Sequence, residues 1–291
     1  MVSRRGRFAG CRPTCATLRL VSAFSFEAGG RGFDFTGDRT YVMGVINLSP
    51  ESNNRQTVAD SPQEALAMAC RYRDQGASII DLGGQSSHFD NEELLPEEEL
   101  ERLLPALDLL AADGFVVSVD TWKPEVARRA IEAGAAIVND TGGMRNEAMI
   151  EVVRTASVPA VVTYVEGEDP VSVGDLEFVQ DKAAQVAERF APRVDGLQAL
   201  GVTDLILDPG LSINYRSDYE EYTRQQLRVI RHLDVIRKLG YPVLIPVPRK
   251  RELARVMAYT TLALEYGADI IRVHDVEHAC DLVRLFGRDG S

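Results

Sequence analysis

A short apolar run that ends in an aspartate is the sequence feature that most constrains the fold. Residues 205–207 are Leu-Ile-Leu, and Asp208 follows them directly, before Pro209 and Gly210, which stop a strand. An aspartate at the carboxyl end of a buried strand places its carboxylate above the sheet, where parallel α/β folds have their functional sites. The same pattern recurs at residues 79–81, 116–120, 136–140 and 270–275.

From residue 41 onward, apolar β-type runs alternate with amphipathic segments. The predicted strands are residues 41–46, 78–82, 115–119, 136–138, 158–164, 205–207, 242–247 and 269–273. The segments between them have helix signals, such as Ser61 and Pro62 at a start and Gly76 after an end. Strands that are apolar throughout indicate a parallel sheet covered by helices. Eight such units predict a closed (β/α)8 TIM barrel of the α/β class, with a doubly wound open sheet as the alternative.

The first thirty residues are basic and contain no acid before Glu27. A twin-arginine or transit peptide is basic in the same way, but the apolar stretch at residues 18–26 is too polar for a signal sequence. We therefore predict a disordered leader over residues 1–15 and a β-hairpin over residues 16–38. Its strands would be residues 16–24 and 32–35, with the turn at Gly29 and Gly30. The barrel would occupy residues 39–291 of a cytoplasmic protein.

Composition excludes several classes of partner and site. The net charge of -12 predicts a protein that repels nucleic acid and anionic membranes. No apolar run approaches the roughly 18 residues that a membrane span requires. Four cysteines lack the paired spacing of a metal site and are predicted to be reduced thiols: Cys11, Cys15, Cys70 and Cys280.

Polar residues after the strands indicate the chemistry, because in a barrel these residues meet at one mouth. One group consists of hydrogen-bond acceptors: Asp120, Asn139 and Asp208. Acceptors of this kind suit a flat heterocycle with several N–H groups. A second group can hold a phosphate or pyrophosphate: Ser87, His88, Arg272 and His274. The two groups together predict a heterocyclic substrate with a phosphorylated leaving group.

Two further aspartates remain open between a structural and a functional role. Asp81 and Asp140 also follow strands, and an aspartate there often caps the next helix. His232 and His278 fall in helical patterns and are predicted to be surface residues.

Several motifs occur in order between Tyr41 and Phe286. They are MGVINLSPES from Met43, GASIIDLGGQSS from Gly76, SVDTWKPEVARRAIEAGAAIVNDTGG from Ser118, LILDPG from Leu205, PRK from Pro248 and RVHDV from Arg272. With these motifs the chain resembles dihydropteroate synthase, a transferase of folate biosynthesis. That family's pterin-binding (β/α)8 barrel joins p-aminobenzoate to hydroxymethyl-dihydropterin pyrophosphate.

The resemblance implies a role for each matching residue. The pterin-holding residues would be Asp120, Asn139, Asp208 and Lys250. The catalytic residues would be Lys250, Arg272 and His274, and the pyrophosphate would lie against Ser87, His88, Arg272 and His274. Asn47 would be the metal ligand, with Mg2+ as cofactor. The resemblance further implies an arylamine as second substrate and a homodimer formed through the last helices.

Four stretches depart from the family pattern. The usual TPDSF is SPESN at residues 49–53, and the usual Glu-Ser-Thr-Arg is QSSH at residues 85–88. The usual Gly-Phe-Gly-Lys is SINY at residues 212–215, and Pro248 replaces a serine. In the QSSH stretch, a histidine stands where the family pattern has an arginine. A permanent cation at the anion site is thereby replaced by a histidine that is mostly neutral at pH 7. The pterin-holding residues are kept while the walls for the other substrates are altered.

Three hypotheses follow. The chain is a divergent dihydropteroate synthase, or a paralogue that binds a pterin-like heterocycle but uses another amine or reaction, or a catalytically silent pterin-binding or scaffold barrel. A silent barrel gives no reason to retain the four pterin-holding residues together, whereas the altered loops count against the first hypothesis. The first is the prediction adopted here, with the others as alternatives.

Overall fold

The computed structural model describes residues 24–52, 54–86, 88, 91–167, 170–176, 178–215, 217–248 and 253–290. A hairpin of β1 (Phe24–Ala28) and β2 (Arg31–Phe35) precedes the barrel. The eight barrel strands are β3 (Tyr41–Asn47), β4 (Ile79–Gly83), β5 (Val117–Asp120), β6 (Ile137–Asp140), β7 (Ala160–Thr163), β8 (Leu205–Asp208), β9 (Leu244–Pro246) and β10 (Ile270–Val273). All of them pair in parallel, which confirms the predicted TIM barrel.

Helices follow each barrel strand and cover the outside of the sheet. They are α1 (Pro62–Gln75), α2 (Pro96–Ala112), α3 (Pro124–Glu132), α4 (Glu147–Ala156), α5 (Lys182–Ala199), α6 (Tyr219–Arg231), α7 (Leu233–Arg237), α8 (Leu253–Glu265) and α9 (Val276–Leu285). Ser61 caps α1 as predicted, since its side chain accepts a hydrogen bond from the Glu64 N–H. In the described part of the chain, none of these helices has the length and apolar character to cross a membrane.

The sheet closes on itself, so the open-sheet alternative is wrong. The strand order is β8-β7-β6-β5-β4-β3-β10-β9. A parallel bridge between Leu207 and Val243 joins its two edge strands, β8 and β9. The Leu207 N–H donates to the Pro242 carbonyl at 2.9 Å across this seam. Closure brings the carboxyl ends of all eight strands to one mouth.

Some predicted boundaries differ from the structure. The helix predicted over residues 217–239 is two helices, α6 and α7, which meet at His232. The helix predicted from residue 176 begins at Lys182, because Asp181 caps it by accepting from the Ala184 N–H. The first hairpin strand is Phe24–Ala28, and the rest of the predicted strand over residues 16–24 lies outside the described residues.

The hairpin closes the amino-terminal end of the barrel. Its turn has positive φ at Gly29 (55°) and Gly30 (71°), the backbone that a tight two-residue hairpin turn requires of glycine. Phe33 is fully buried and packs with Phe26 and Tyr41, and Phe35 packs with the same two rings. These rings lie against the first inward residues of the barrel strands, including Ile79, Ile137, Val161, Ile206, Leu244 and Ile270.

Side-chain alternation along the strands places polar groups above this apolar floor. On several strands an inward apolar residue is followed two positions later by an inward polar one, as with Ile79 and Asp81 or Ile206 and Asp208. The barrel therefore has a dry lower half and a polar upper half. The polar half opens at the mouth, where a site can form.

Candidate active site

Arg272 is at the centre of the polar layer. Its Nε donates to Asp81 Oδ2 at 2.6 Å, and its Nη2 donates to Asp120 Oδ2 at 2.6 Å. The three side chains come from β10, β4 and β5, and Asp81 is completely buried. Burial opposes the guanidinium charge, but Asp81 and Asp120 outweigh it and raise the pKa of Arg272. One cation thus holds two carboxylates from separate strands.

Asn139 and Asp208 complete the acceptor group at the base of the cleft. Asn139 Nδ2 donates to Asp81 Oδ2 at 3.2 Å, which orients the amide. Its Oδ1 is buried and has no hydrogen-bond partner among the described residues. Asp208 is 3% exposed, and its Oδ1 accepts from the Gly210 N–H at 2.7 Å. Buried acceptors with unused capacity are costly unless a ligand donates to them.

Burial dominates the titration of the acidic groups. It raises the pKa of Asp208 to about 7, against the lowering effect of the Gly210 N–H and Arg272. Burial also raises the pKa of Asp120 to about 7, although Arg272 acts to lower it. Both carboxylates therefore change charge near neutral pH. Perturbed carboxylates in a cleft are typical of functional sites.

A second polar network lies on the other side of the mouth. Asn47 Nδ2 donates to Thr57 Oγ1 at 3.0 Å, and Thr57 Oγ1 lies 3.1 Å from His274 Nδ1. Thr57 belongs to a short 3-10 turn, Arg55–Thr57, in the loop after β3. This hydroxyl links the ends of β3 and β10. Asn47 and His274 are therefore held together at one edge of the cleft.

The cleft above these groups has a volume of about 410 Å3, a size suited to a small-molecule ligand. Among the predicted site residues, Asn47, His88, Asp120, Arg272 and His274 line it. Asn139 and Asp208 are buried and do not line it. Asn139 connects to it through Asp81, which also accepts from the lining residue Arg272. Two predicted residues, Ser87 and Lys250, lie outside the described residues.

The altered loops are anchored by contacts of their own. Glu51 accepts from Arg102 Nη1 at 2.9 Å, so the first loop is tied to α2. Gln85 Oε1 accepts from Lys123 Nζ, which also donates to Glu99 Oε2 at 2.9 Å. These contacts fix two walls of the cleft.

Tyr215 anchors the third altered loop. Its hydroxyl accepts from the Glu166 N–H at 2.8 Å, and its ring lies against Tyr222. Because Tyr215 lines the cleft, this tyrosine is part of its wall in a stretch where the family usually has Gly-Phe-Gly-Lys.

Sequence reasoning left one central residue undecided. Asp81 is no helix cap, because both of its oxygens lie within hydrogen-bond distance of Asn139 or Arg272. Asp81 lies inside β4, opposite Ser118, and its inward phase matches that of Asp120 two positions further along β5, which is the signal that could have identified it. Asp140 has the structural role, since it accepts from the Gly142 and Met144 N–H groups, each at 2.7 Å. Thr57 was missed because nothing in the loop sequence marks it.

Replacing Thr57 with valine is expected to lower the free energy of unfolding by about 1 kcal/mol, because it removes a buried hydroxyl that accepts from the half-buried Asn47 amide. Valine keeps the shape of threonine, so lost packing contributes little. Urea unfolding measures the change, and Thr57→Ser, which keeps the hydroxyl, is the matched control. Equal stability of the valine and serine variants would contradict the bridging role.

Comparison with known proteins agrees with this geometry. The family model described as "Pterin binding enzyme" matches residues 43–284. The chain is 32% identical over 270 residues to a dihydropteroate synthase of Synechocystis sp., covering 87% of this chain and 91% of that protein.

Two solved structures have the same fold. One is Xanthomonas albilineans dihydropteroate synthase with 4-aminobenzoic acid, which has a TM-score of 0.77 and 29% identity over 91% of this chain and 97% of that one. The other is the enzyme of that organism in complex with 7,8-dihydropteroate, with a TM-score of 0.71 and 28% identity over 90% and 96% of the two chains. The family match, the identity over most of both chains and the shared barrel show that this chain belongs to the dihydropteroate synthase family of pterin-binding enzymes.

Proposed function

We propose that this chain is a dihydropteroate synthase that condenses 6-hydroxymethyl-7,8-dihydropterin pyrophosphate with p-aminobenzoate. The observation that carries the proposal is the set of unsatisfied acceptors at the base of the cleft. Asn139 Oδ1 is buried without a donor, and Asp208 accepts only one hydrogen bond from the described residues. The 2-amino group and ring N–H groups of a pterin supply donors of that number and planarity.

The acidic residues at the base of the site also fit the hydrogen-bond donors of the pterin ring. Asp120 and Asp208 both have pKa values of about 7, so a donor-rich ring edge that enters the site favours their ionised forms. Lys250 is assigned to the ring oxygen and to covering the base, on the match of its motif to the family.

The reaction needs orientation and electrostatics but no protein nucleophile. The bond between the pterin methylene carbon and the pyrophosphate oxygen breaks, and its electron pair leaves with pyrophosphate. The electron-rich ring stabilises the cation-like carbon. The arylamine nitrogen then bonds to that carbon and loses a proton to solvent. Stabilising the charge that develops on the leaving group is the main task of the protein.

His274 and Arg272 are assigned to the leaving group. His274 lines the cleft, and its Nδ1 lies 3.1 Å from Thr57 Oγ1, a hydroxyl that donates to the Asn54 carbonyl at 3.3 Å. When protonated, the ring donates from both nitrogens and can hold a phosphate oxygen in the cleft. Arg272 lines the same cleft and has donors beyond those that it directs to Asp81 and Asp120.

A magnesium ion fits this site only as a partner of the substrate. The described residues contain no cluster of three histidine, cysteine or acidic side chains that could hold a metal. Asn47 donates through Nδ2 to Thr57, which leaves Oδ1 as a hard oxygen ligand at the cleft. Mg2+ is commonly bound by one or two protein ligands together with phosphate oxygens and water. When bound, it would neutralise charge on the departing pyrophosphate.

Pyrophosphate release tests the proposal. The purified chain with the pterin pyrophosphate, p-aminobenzoate and Mg2+ is expected to release pyrophosphate and form dihydropteroate, both of which are absent without the arylamine. Asp108→Asn, on an exposed position of α2, is the control for a carboxylate change away from the site. Release that stays at the buffer rate would contradict the proposal. Pyrophosphate release with another arylamine but not with p-aminobenzoate would favour the alternative that the chain is a paralogue that uses a different amine.

A further inference from the structure

A groove beside helix α5, at the carboxyl end of β7, contains three arginines. It has a volume of about 440 Å3 and lies between the β6–α4 loop, the end of β7 and helix α5. Its basic residues are Arg145, Arg189 and Arg193. The described residues that line it include none of those that line the catalytic cleft. The groove is therefore a separate feature of the surface.

Helix α5 directs a polar stripe into this groove. Gln185, Arg189 and Arg193 are spaced four residues apart, so they lie on one face on successive turns. Like charges at this spacing destabilise a helix. Some arginines on other helices are paired with an acid on the same helix, as in Arg128 with Glu132 and Arg154 with Glu151. The stripe on α5 is an unusual arrangement for a chain of net charge -12.

These guanidinium groups have no carboxylate partner among the described residues. Arg145 is fixed by backbone carbonyls, donating to Gly142 O at 3.0 Å, Val165 O at 3.1 Å and Gly167 O at 2.7 Å. Arg193 donates to Met144 O at 3.2 Å. Burial and the nearby Arg145 lower the pKa of Arg193. The groove thus holds an excess of positive charge, with Arg145 and Arg193 held by backbone carbonyls and Arg189 exposed beside them.

The two acids near these arginines, Asp140 and Glu166, are both engaged by other groups. Glu166 is part of the lining, but its Oε1 accepts from the Tyr164 hydroxyl at 2.9 Å and pairs with Lys182. Its charge is thereby shared with a lysine. Asp140 acts on Arg145 and Arg193, but it is buried and accepts from the Gly142 and Met144 N–H groups. An external anion would add to the partial compensation that Asp140 gives.

An apolar extension of the groove indicates what else the ligand contains. A second cavity of about 350 Å3 shares Arg189 and Arg193 and continues along α5 past Ile150, Pro192, Leu197 and Leu200. Leu200 is 55% exposed. A ligand that spans both parts needs an anionic end and an apolar body.

We propose that this groove binds a small organic phosphate. The phosphate lies between Arg189 and Arg193, with Arg145 adding charge, because the guanidinium fork matches phosphate oxygens in pairs. The apolar body lies along Leu197 and Leu200. The site is independent of the reaction proposed for the cleft.

Calorimetric titration of the full chain with phenyl phosphate tests the proposal. Saturable binding is expected, with a lower Kd than that of inorganic phosphate. Arg189→Ala and Arg193→Ala are each expected to weaken binding of phenyl phosphate by about tenfold or more, since each removes a charge-assisted contact. The Arg189→Lys variant keeps the charge but not the paired donors. Its Kd for phenyl phosphate should lie between those of the alanine variants and the wild type.

Arg228→Ala is the matched control, because it removes an exposed arginine from α6 and should leave the Kd unchanged. Thermal melts of each variant verify folding, and Arg189 is exposed, so its removal leaves the core intact. Binding that is unchanged in both groove variants would place phenyl phosphate elsewhere and overturn the proposal. So would the lack of saturable binding, or a Kd for phenyl phosphate no lower than that for inorganic phosphate.

Discussion

Replacing Arg272 with methionine is expected to lower the free energy of unfolding by about 3–5 kcal/mol at pH 8, because it leaves two carboxylates inside the barrel without their cation. Arg272 donates to Asp81 and to Asp120, each at 2.6 Å, and Asp81 has no exposed surface. Methionine fills a similar volume, so the loss is electrostatic. Urea unfolding at pH 8 measures it.

The loss should depend on pH. Without Arg272, the pKa of Asp120, already raised by burial to about 7, rises further. The free-energy cost of burying the unpaired Asp120 carboxylate applies at pH values where that group is ionised. The cost disappears as pH falls below the raised pKa. The difference between variant and wild type should therefore shrink at pH 5.

Two further variants separate charge from packing. Adding Asp81→Asn and Asp120→Asn to the methionine variant should recover most of the lost stability, since the two carboxylates that Arg272 held are then neutral amides. Arg128→Met is the matched control, because Arg128 is 45% exposed and its ion pairs with Glu125 and Glu132 should contribute less than about 1 kcal/mol. A methionine variant of Arg272 as stable as this control would contradict the central role of the ion pair.

Replacing Asp208 with asparagine is expected to weaken pterin binding by about 100-fold, while making the folded chain more stable at neutral pH. Asparagine can still accept from the Gly210 N–H through Oδ1, but its NH2 group then faces the N–H groups of the ring. The site loses an ionic acceptor and gains a repelling donor. Calorimetry with a pterin at pH 8 measures the affinity.

The Asp208→Asn variant should gain stability even though it loses pterin affinity, because burial raises the pKa of the wild-type carboxylate. The pKa of Asp208 is 3.8 in the unfolded chain and about 7 in the folded one, so the wild type loses stability as pH rises between these values. Asparagine has no such dependence. The variant should therefore match the wild type near pH 3.8 and exceed it by about 2–4 kcal/mol at pH 8.

Asp108→Asn is the control for both measurements, since Asp108 is exposed on α2 and away from the cleft. It should change neither affinity nor the pH dependence of stability. Undiminished pterin affinity in the Asp208 variant would remove Asp208 from the pterin site. Equal stability at pH 8 would show that its carboxylate is not held ionised at a cost.

The sequence by itself determined the barrel and the composition of its mouth. Apolar runs that end in Asp120, Asn139, Asp208 and Arg272 are local patterns, and parallel-sheet physics brings the residues after each run to one end. Alternation with period two then fixes which side chain faces inward, as for Asp81 two positions after Ile79. These properties need no knowledge of distant contacts.

Only the tertiary structure decided how those residues are paired. Arg272 and Asp81 are 191 positions apart in the chain, and Thr57 and His274 are 217 apart, so no local pattern records that they touch. The division of roles between Asp81 and Asp140 has the same cause. One faces an arginine from a distant strand, and the other faces the N–H groups of its own loop. The groove on α5 also depends on folding, because the loop that contributes Arg145 reaches α5 only when β6 and β7 pair.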